Sequence, residues 1–188
     1  MTKSKLGKKL PPVALPVCLI GSNFDGKANF CTIAWFTMID DEPPLIGVVM
    51  GKKRRTKDGI VENRTFSVNI PSTAMVTETD YCGIRSGART DKSQVFDVFY
   101  GELETAPMIE EAPICAECRL KQIVLFEGTD LIIGEVNELY VEKKAVDKEG
   151  FHMHKLDPLL YAMGGGPYFR VGDRVAEAFS VGKDYKKK

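Results

Sequence analysis

The sequence predicts one mainly β domain with a few short helices, with its strands closed into a small barrel. Short apolar runs bounded by turn clusters follow one another along the 188 residues, a pattern typical of antiparallel barrels. Strands and helices do not alternate regularly, which argues against a Rossmann fold. No repeat or low-complexity linker divides the chain, so we expect a single domain over residues 1–188, with tails at 1–10 and 183–188.

The first predicted elements are a hairpin and a buried strand. Residues 13–20 and 28–37 are strand candidates on either side of a turn cluster at 21–26. Residues 45–50 form a short apolar run behind Pro43 and Pro44, which suits a strand buried on both faces.

Short helices and longer strands follow. We expect a helix at 57–63 capped by Thr56, a strand at 66–70, and a helix at 72–81 that Ser72 can cap. After a proline-rich connection at 105–113, residues 114–126 and 131–142 are strand candidates joined by a turn at 127–130. A last apolar segment at 159–163 precedes a glycine turn at 164–166 and a final stretch at 168–171.

The charge balance excludes two classes of partner. The chain carries 26 basic and 26 acidic residues, so no overall field draws it to nucleic acid or to a membrane surface. No apolar run approaches the roughly 20 residues that a membrane-spanning helix needs. Prolines interrupt the lysine-rich N-terminal region and no cleavage site is evident, so we expect no signal peptide and a cytoplasmic protein.

Cysteines and histidines indicate no metal centre. Five cysteines at irregular spacing do not suggest a disulfide framework. Cys115 and Cys118 lie in a predicted strand, where a spacing of three sends the thiols to opposite faces. His152 and His154, at a strand-like spacing of two, have no third ligand nearby. No Gly-x-Ser-x-Gly elbow is present, and we assign no catalytic residue.

Three segments are candidates for ligand binding. The first runs from Asn29 to Trp35, where an amide, a threonine and the only tryptophan could bind a planar, hydrogen-bonding ligand. The alternative is an ordinary barrel strand with a core tryptophan, because buried aromatic residues are common.

The other two segments are basic. Residues 52–56 combine lysines and arginines with Thr56 immediately before a predicted helix, and residues 80–92 hold glycines, hydroxyls and three basic side chains. Arginine forks and helix N-terminal amides bind phosphate, although such runs can also be solvated turns. Two separate basic segments suit one phosphate better than a nucleic-acid backbone, which requires a larger patch.

Taken in order along nearly the whole chain, these elements resemble the flavin reductase-like family, also called the FMN-binding split barrel, and within it the flavoredoxin group. The matching residues are Gly26–Asn29, Thr32, Trp35, Pro43–Pro44, Arg54, Thr56, Phe66–Pro71, Tyr81–Gly83, Ser86–Gly87, Asp91–Lys92, Glu117–Cys118, Gly134–Val136 and Tyr168–Gly172.

The resemblance implies a split β-barrel of the Greek-key type that forms a homodimer with FMN near the subunit interface. The segment from Asn29 to Trp35 would meet the flavin ring and ribityl chain, and the segments Arg54–Thr56 and Ser86–Lys92 would hold the phosphate. The implied cofactor-binding residues are Asn29, Phe30, Cys31, Thr32, Trp35, Arg54, Thr56, Ser86, Gly87 and Lys92.

The resemblance also implies an oxidoreductase, with three functions open. NADH or NADPH could reduce the flavin, which then passes electrons to an acceptor, since the flavin itself carries the chemistry. Alternatively, the chain could be a flavoredoxin-like FMN electron carrier with protein partners, or a non-catalytic flavin-binding module. No dinucleotide fingerprint in the sequence indicates NADH or NADPH.

Overall fold

The fold is mainly β with short helices, as predicted. The structure is a computed structural model that describes residues 2–164, 166–183 and 185–186. The strands are β1 (Ala14–Pro16), β2 (Cys18–Phe24), β3 (Lys27–Ile33), β4 (Phe36–Asp41), β5 (Pro44–Gly51), β6 (Thr65–Ile70), β7 (Val98–Phe99), β8 (Met108–Ile109), β9 (Ile114–Leu125), β10 (Thr129–Val141), β11 (Val146–Asp147), β12 (Gly150–Phe151), β13 (Leu159–Ala162) and β14 (Tyr168–Arg170). The α-helices are α1 (Arg55–Asn63), α2 (Val76–Ile84) and α3 (Met153–Leu156), and short 3-10 helices span Thr73–Met75 and Lys143–Ala145.

Seven antiparallel strands form the main sheet, in the order β3-β2-β6-β9-β10-β5-β4. Residues from strands near both edges, such as Cys31 of β3 and Val48 of β5, lie in one buried cluster with Phe66 and Ile132. The sheet therefore wraps around this core, and α1 covers it with Ile60.

A second core lies on the other face of the sheet. Phe30 of β3, Met108, Ile109 and Cys115 are buried there, and Cys82 of α2 packs among them. The Phe30 ring meets the edge of the Phe96 ring, with 5.5 Å between centroids. Strand β3 is thus buried on both faces, which fixes its position relative to α1 and α2.

The N-terminal hairpin is confirmed, with changed boundaries. The predicted strand at 13–20 is two strands, β1 and β2, and β2 continues to Phe24 through most of the expected turn. The turn is Asp25–Gly26, both with positive φ (51° and 72°), as a tight two-residue hairpin turn requires. The strand predicted at 28–37 ends at Ile33, and a separate strand β4 begins at Phe36.

The predicted helix caps are wrong. Helix α1 begins at Arg55, so Thr56 is not its N-cap; Arg54 holds that position and forms no side-chain cap hydrogen bond. Ser72 likewise makes no cap bond, and a 3-10 turn precedes α2, which starts at Val76 rather than at residue 72.

Cys115 and Cys118 lie on β9 and belong to different cores, so their thiols point to opposite faces as expected. The strand-like spacing expected for His152 and His154 is wrong, because α3 begins at Met153. His152 instead pairs with Asp147, at 2.6 Å between Nε2 and Oδ2. Among the described residues, no group of three or more acidic, histidine or cysteine side chains is arranged to hold a metal ion.

Both ends of the chain are exposed where the structure describes them. Residues 2–10 and 172–183 expose their side chains to solvent. The predicted glycine turn and C-terminal tail include residues 165, 184, 187 and 188, which lie outside the described residues. No helix in the described ranges has the length and apolarity to span a bilayer.

Candidate functional site

The start of α1, the middle of β3 and the loop after α2 meet around Asn29. The buried Asn29 amide donates a hydrogen bond to Thr56 Oγ1 at 2.7 Å. On the loop side, a Cβ placed on Gly87 would lie 2.6 Å from Asn29 Oδ1. The three segments that the sequence predicted to bind one ligand therefore converge here.

Strand alternation divides the predicted residues of β3 between two faces. Asn29 faces Thr56 of α1, and Cys31 lies in the core beneath α1. Phe30 is fully buried in the other core, and the Thr32 hydroxyl donates to the Thr79 carbonyl of α2. A ligand at the Asn29 face can meet Phe30 only through its backbone.

Two cations, Arg54 and Lys92, lie at the C-terminal end of α2. Arg54 Nη1 donates to the Gly83 carbonyl at 3.2 Å. Lys92 Nζ donates to the carbonyls of Cys82 at 3.3 Å and Arg85 at 3.4 Å. The last carbonyls of a helix lack intrahelical partners and carry the negative end of the helix dipole. Helix α2 therefore holds both cations through neutral groups.

Neither cation forms an ion pair with a carboxylate in the part of the chain that the structure describes. This is unusual for Lys92, whose exposure is only 2%, because buried charges are normally paired. Burial lowers the pKa of Lys92; the thiols of Cys31 and Cys82 act in the opposite direction, and the charge of Arg54 lowers it further. A bound anion would offset both effects, so the site has the electrostatics of an anion-binding site.

The thiol of Cys31 reports the same electrostatic environment. Burial raises its pKa, whereas the Thr56 hydroxyl and the charges of Lys92 and Arg54 lower it. Arg54, Thr56 and Lys92 thus act on the Cys31 thiol, although 61 positions of sequence separate Cys31 from Lys92.

Position 87 requires glycine because its backbone lies close to Asn29 and Arg55, not because of its backbone angles. An added Cβ would meet Asn29 at 2.6 Å and the Cβ of Arg55 at 3.4 Å. Only a glycine lets the loop lie this close to α1, which leaves its backbone accessible to a ligand.

Two grooves open on either side of this centre. Phe24, Lys27, Asn29 and the loop from Gly87 to Lys92 line one of them. Gly51 to Arg54, together with Ser86, Glu127 and Gly128, line the other. Nine of the ten predicted residues lie on β3 or in the two basic segments that meet here.

Trp35 is the residue that the structure does not bring into this group. It lies in the break between β3 and β4, with 41% of its surface exposed, so the alternative interpretation as a core tryptophan is wrong. It lines a separate, almost wholly apolar groove with Leu10, Val13 and Met163.

The predicted cofactor-binding residues leave out several charged side chains in and near the site. Lys27 pairs with Asp91 at 2.7 Å, and the Arg55 guanidinium lies 5.2 Å from the centre of the Phe24 ring. Alternation along β3 places Lys27 on the Asn29 face, a signal that could have been used. Lys57 pairs with buried Asp130 at 2.7 Å, and no local pattern predicts that contact.

Comparison with known proteins places this arrangement in a family. A family model described as flavin reductase like domain matches residues 11–168. The structure resembles a flavoredoxin from Methanosarcina acetivorans, at 40% identity, a TM-score of 0.93, and coverage of 97% of this chain and 98% of that one.

Two further solved structures are similar. The flavoredoxin of Desulfovibrio vulgaris (Miyazaki F) is 33% identical, with a TM-score of 0.89 and coverage of 97% of this chain and 100% of the other. An FMN-binding protein from Thermus thermophilus, solved with bound 1-cyclohex-2-enone, is 26% identical, with a TM-score of 0.80 and coverage of 94% and 99%.

Proposed function

Because this chain belongs to the flavin reductase-like family, within its flavoredoxin group, we propose that it binds FMN and works as an oxidoreductase that passes electrons from the reduced flavin to an acceptor. The family supports a flavin-binding redox function. The solved relatives that are named flavoredoxin and FMN-binding protein support FMN as the flavin.

The observation that carries the proposal is the pair of cations at the end of α2. Arg54 and Lys92 have only backbone carbonyls as partners in the described structure, and Lys92 is buried. Three ammonium protons and five guanidinium protons are available as donors, so most remain for a ligand. A phosphate monoester would take up these donors and balance the charge.

The residues fit FMN as follows. Arg54, Thr56, Ser86, Lys92 and the backbone at Gly87 would hold the phosphate, as charge-assisted hydrogen bonds to phosphate are strong and directional. Asn29 and Cys31 would lie toward the ribityl chain and ring, and Phe30 and Thr32, whose side chains face the other side of β3, would contribute their backbone alone. Trp35 would meet the ring from its apolar groove.

Bound FMN supplies the redox chemistry by accepting and releasing electrons, and the chain supplies orientation and electrostatics. Helix α1 and the 86–92 loop anchor one end of the ligand. The buried β3 strand between two cores gives the other end a rigid wall. Rigid support of this kind is what keeps a cofactor in one orientation.

We propose NADH or NADPH as the electron donor. The test begins with the absorption spectrum of the purified protein and chromatographic identification of the released flavin, which we expect to be FMN. Stopped-flow mixing of the FMN-loaded protein with each nucleotide should then bleach the flavin band. Slow bleaching with both nucleotides would remove the reductase function.

The likeness to two flavoredoxins favours a second candidate, an FMN electron carrier that exchanges electrons with protein partners. In that case both nucleotides would react slowly, while a reduced protein donor would reduce the flavin quickly. A flavin that no donor reduces would instead indicate a non-catalytic binding module.

The chain is further proposed to form a homodimer with FMN near the subunit interface, in the cytoplasm. Analytical ultracentrifugation of the FMN-loaded protein tests the first, and cell fractionation tests the second.

A further inference from the structure

The groove bordered by Lys52 and Lys53 extends well beyond the phosphate centre. Its volume is about 540 Å³, within the range of about 300–1,000 Å³ that small-molecule sites occupy. Arg54 and Ser86, which are assigned to the FMN phosphate, form only one wall of it. The rest of its lining is Gly51, Lys52, Lys53, Glu127 and Gly128. A phosphate group fills a small part of this space, so the groove has room for a second ligand.

Two glycines keep the floor of this groove open. Gly51 ends β5, and its pairing with Thr129 of β10 brings Gly128 to the same end of the sheet. A Cβ added at Gly51 or Gly128 would meet no atom of the described residues within 4 Å. The backbone at both positions therefore leaves space for a ligand.

The groove lies on the same face of β5 as the groove beside Trp35. Gly47 and Val49 line the Trp35 groove, and Gly51 lines this one. Residues two apart on a strand point to the same face and lie about 7 Å apart. A molecule that meets the outer face of a flavin ring in the Trp35 groove can therefore continue along β5 into this groove without displacing the ring.

The charge of this groove comes from Lys52 and Lys53. Both are exposed, and neither forms an ion pair in the ranges that the structure describes, whereas Arg55 and Lys57 on α1 are both paired with carboxylates. Glu127 is the only carboxylate among the described residues that line the groove. The FMN phosphate would be balanced by the phosphate centre, so the groove beside it stays positive when FMN is bound.

We infer that this groove holds the adenosine end of NADPH and that Lys52 and Lys53 bind its 2′-phosphate. The inference rests on the proposed reductase function and deepens it, because it selects NADPH over NADH as the donor. The two nucleotides differ only in that phosphate, and unpaired ammonium groups favour the more negative ligand. The nicotinamide would reach the flavin ring and transfer a hydride from its C4 to flavin N5, which leaves NADP⁺ and a flavin reduced by two electrons.

Glu127 distinguishes this arrangement from a site for NADH. A carboxylate beside the adenosine ribose selects NADH when it binds the free 2′-hydroxyl. Here two ammonium groups share the groove with one carboxylate, so the net charge favours a phosphate at that position. Glu127→Gln should therefore raise the preference for NADPH further. In a site built for NADH, the same variant would lose affinity for NADH.

The first test measures binding without electron transfer. The FMN-loaded protein, whose phosphate centre is filled, is titrated by calorimetry with adenosine 2′,5′-bisphosphate and with 5′-AMP, which differ only in the 2′-phosphate. We expect the bisphosphate to bind about tenfold more tightly at low salt, as two exposed charge-assisted contacts allow. This advantage should shrink as the salt concentration rises. The double variant Lys52→Gln and Lys53→Gln should bind both analogues equally.

The second test is reduction of the bound FMN in stopped flow. At subsaturating nucleotide, NADPH should bleach the flavin band about tenfold faster than NADH, and this ratio should fall to about one in the double variant at equal FMN occupancy. At saturation both nucleotides should approach similar limiting rates, because the 2′-phosphate affects binding alone. The control variant, Lys143→Gln and Lys148→Gln, removes the same charge at exposed positions outside both grooves and should keep the preference.

Three outcomes would overturn the inference. Equal reaction with both nucleotides, or a preference for NADPH that survives in the double variant, would show that the lysines do not bind the 2′-phosphate, leaving the reductase function standing. A preference for NADH that Glu127→Gln removes would assign the groove to the ribose hydroxyls. If neither nucleotide reduces the flavin, the reductase function fails, and equal binding of the two adenosine analogues would then remove the nucleotide groove separately.

Discussion

Replacing Lys92 by methionine should weaken FMN binding while leaving riboflavin binding nearly unchanged. Methionine retains an unbranched chain of similar length without the charge. FMN and riboflavin differ only in the phosphate, so the ratio of their affinities isolates what Lys92 contributes to phosphate binding.

The expected size follows from the surroundings of Lys92. Its exposure is 2%, so a hydrogen bond from its ammonium group to phosphate would be shielded from water. A hydrogen bond to a charged group is worth about 1.5–3 kcal/mol, which corresponds to a loss of roughly ten- to a hundredfold in FMN affinity. The same change removes a buried charge that pairs with no carboxylate among the described residues, so the flavin-free protein should be as stable as the unaltered one or more so.

The assay is titration of the flavin-free protein with FMN and with riboflavin, followed by quenching of flavin fluorescence. Lys121→Met is the matched control, because Lys121 pairs with Glu135 at an exposed position of β9 and should not affect either ligand. Arg54→Ala should reproduce the selective loss of FMN. Equal loss of both ligands, or no loss, would refute the assignment of the phosphate to this centre.

The pH dependence of FMN affinity provides an independent test of the role of Lys92. In the free protein the pKa of Lys92 is below its ordinary value of 10.5. A bound phosphate stabilises the charged ammonium and therefore raises this pKa. FMN affinity should be greatest below the free-protein pKa and should fall as pH rises through it, with proton uptake on binding. Riboflavin affinity should not show this fall, and Lys92→Met should abolish it for FMN.

Three further predictions concern the loop, the helix anchor and the thiols. Gly87→Ala should weaken FMN by about tenfold, since its Cβ would lie 2.6 Å from Asn29 Oδ1 and a shift of an ångström can misplace a binding group; parallel titrations with FMN and riboflavin check this. Asp130→Asn breaks the largely buried pair with Lys57 and should lower the free energy of unfolding, measured in urea, by roughly 3–5 kcal/mol. Burial raises the pKa of all five thiols in the folded protein. The free energy of unfolding should therefore be unaffected by the thiols below their unfolded pKa of about 8.5, and one pH unit above it should be lower by roughly 1.4 kcal/mol per thiol. In thermal melts, Cys118→Ala should make this loss of stability with pH less steep.

Much of the fold and the site could be predicted from local patterns. The hairpin of β2 and β3 follows from two apolar runs around a glycine turn, and the long β9–β10 hairpin follows in the same way. The convergence of Arg54 and Lys92 was predicted because both lie in basic, hydroxyl-bearing segments. Such features depend on a few neighbouring residues.

The remainder depends on tertiary contacts. Thr56 has the residue type of a helix cap, but its hydroxyl is taken up by Asn29 from a distant strand. Lys57 and Asp130 are 73 positions apart. The end of β3 before Trp35 has no strong sequence signal, because the apolar residues continue without a turn residue. These contacts and this strand end depend on which distant segments meet in the fold, and no local sequence pattern carries that information.

The use of carbonyls at the end of α2 to hold Arg54 and Lys92 has a consequence for ligand exchange. A carboxylate in that place would compete with an incoming anion and would have to be displaced on every arrival. Peptide dipoles impose no such competition, and they remain in position when the ligand departs. Empty and filled forms can therefore interconvert without rearrangement of side-chain ion pairs, so occupancy would follow the surrounding FMN concentration.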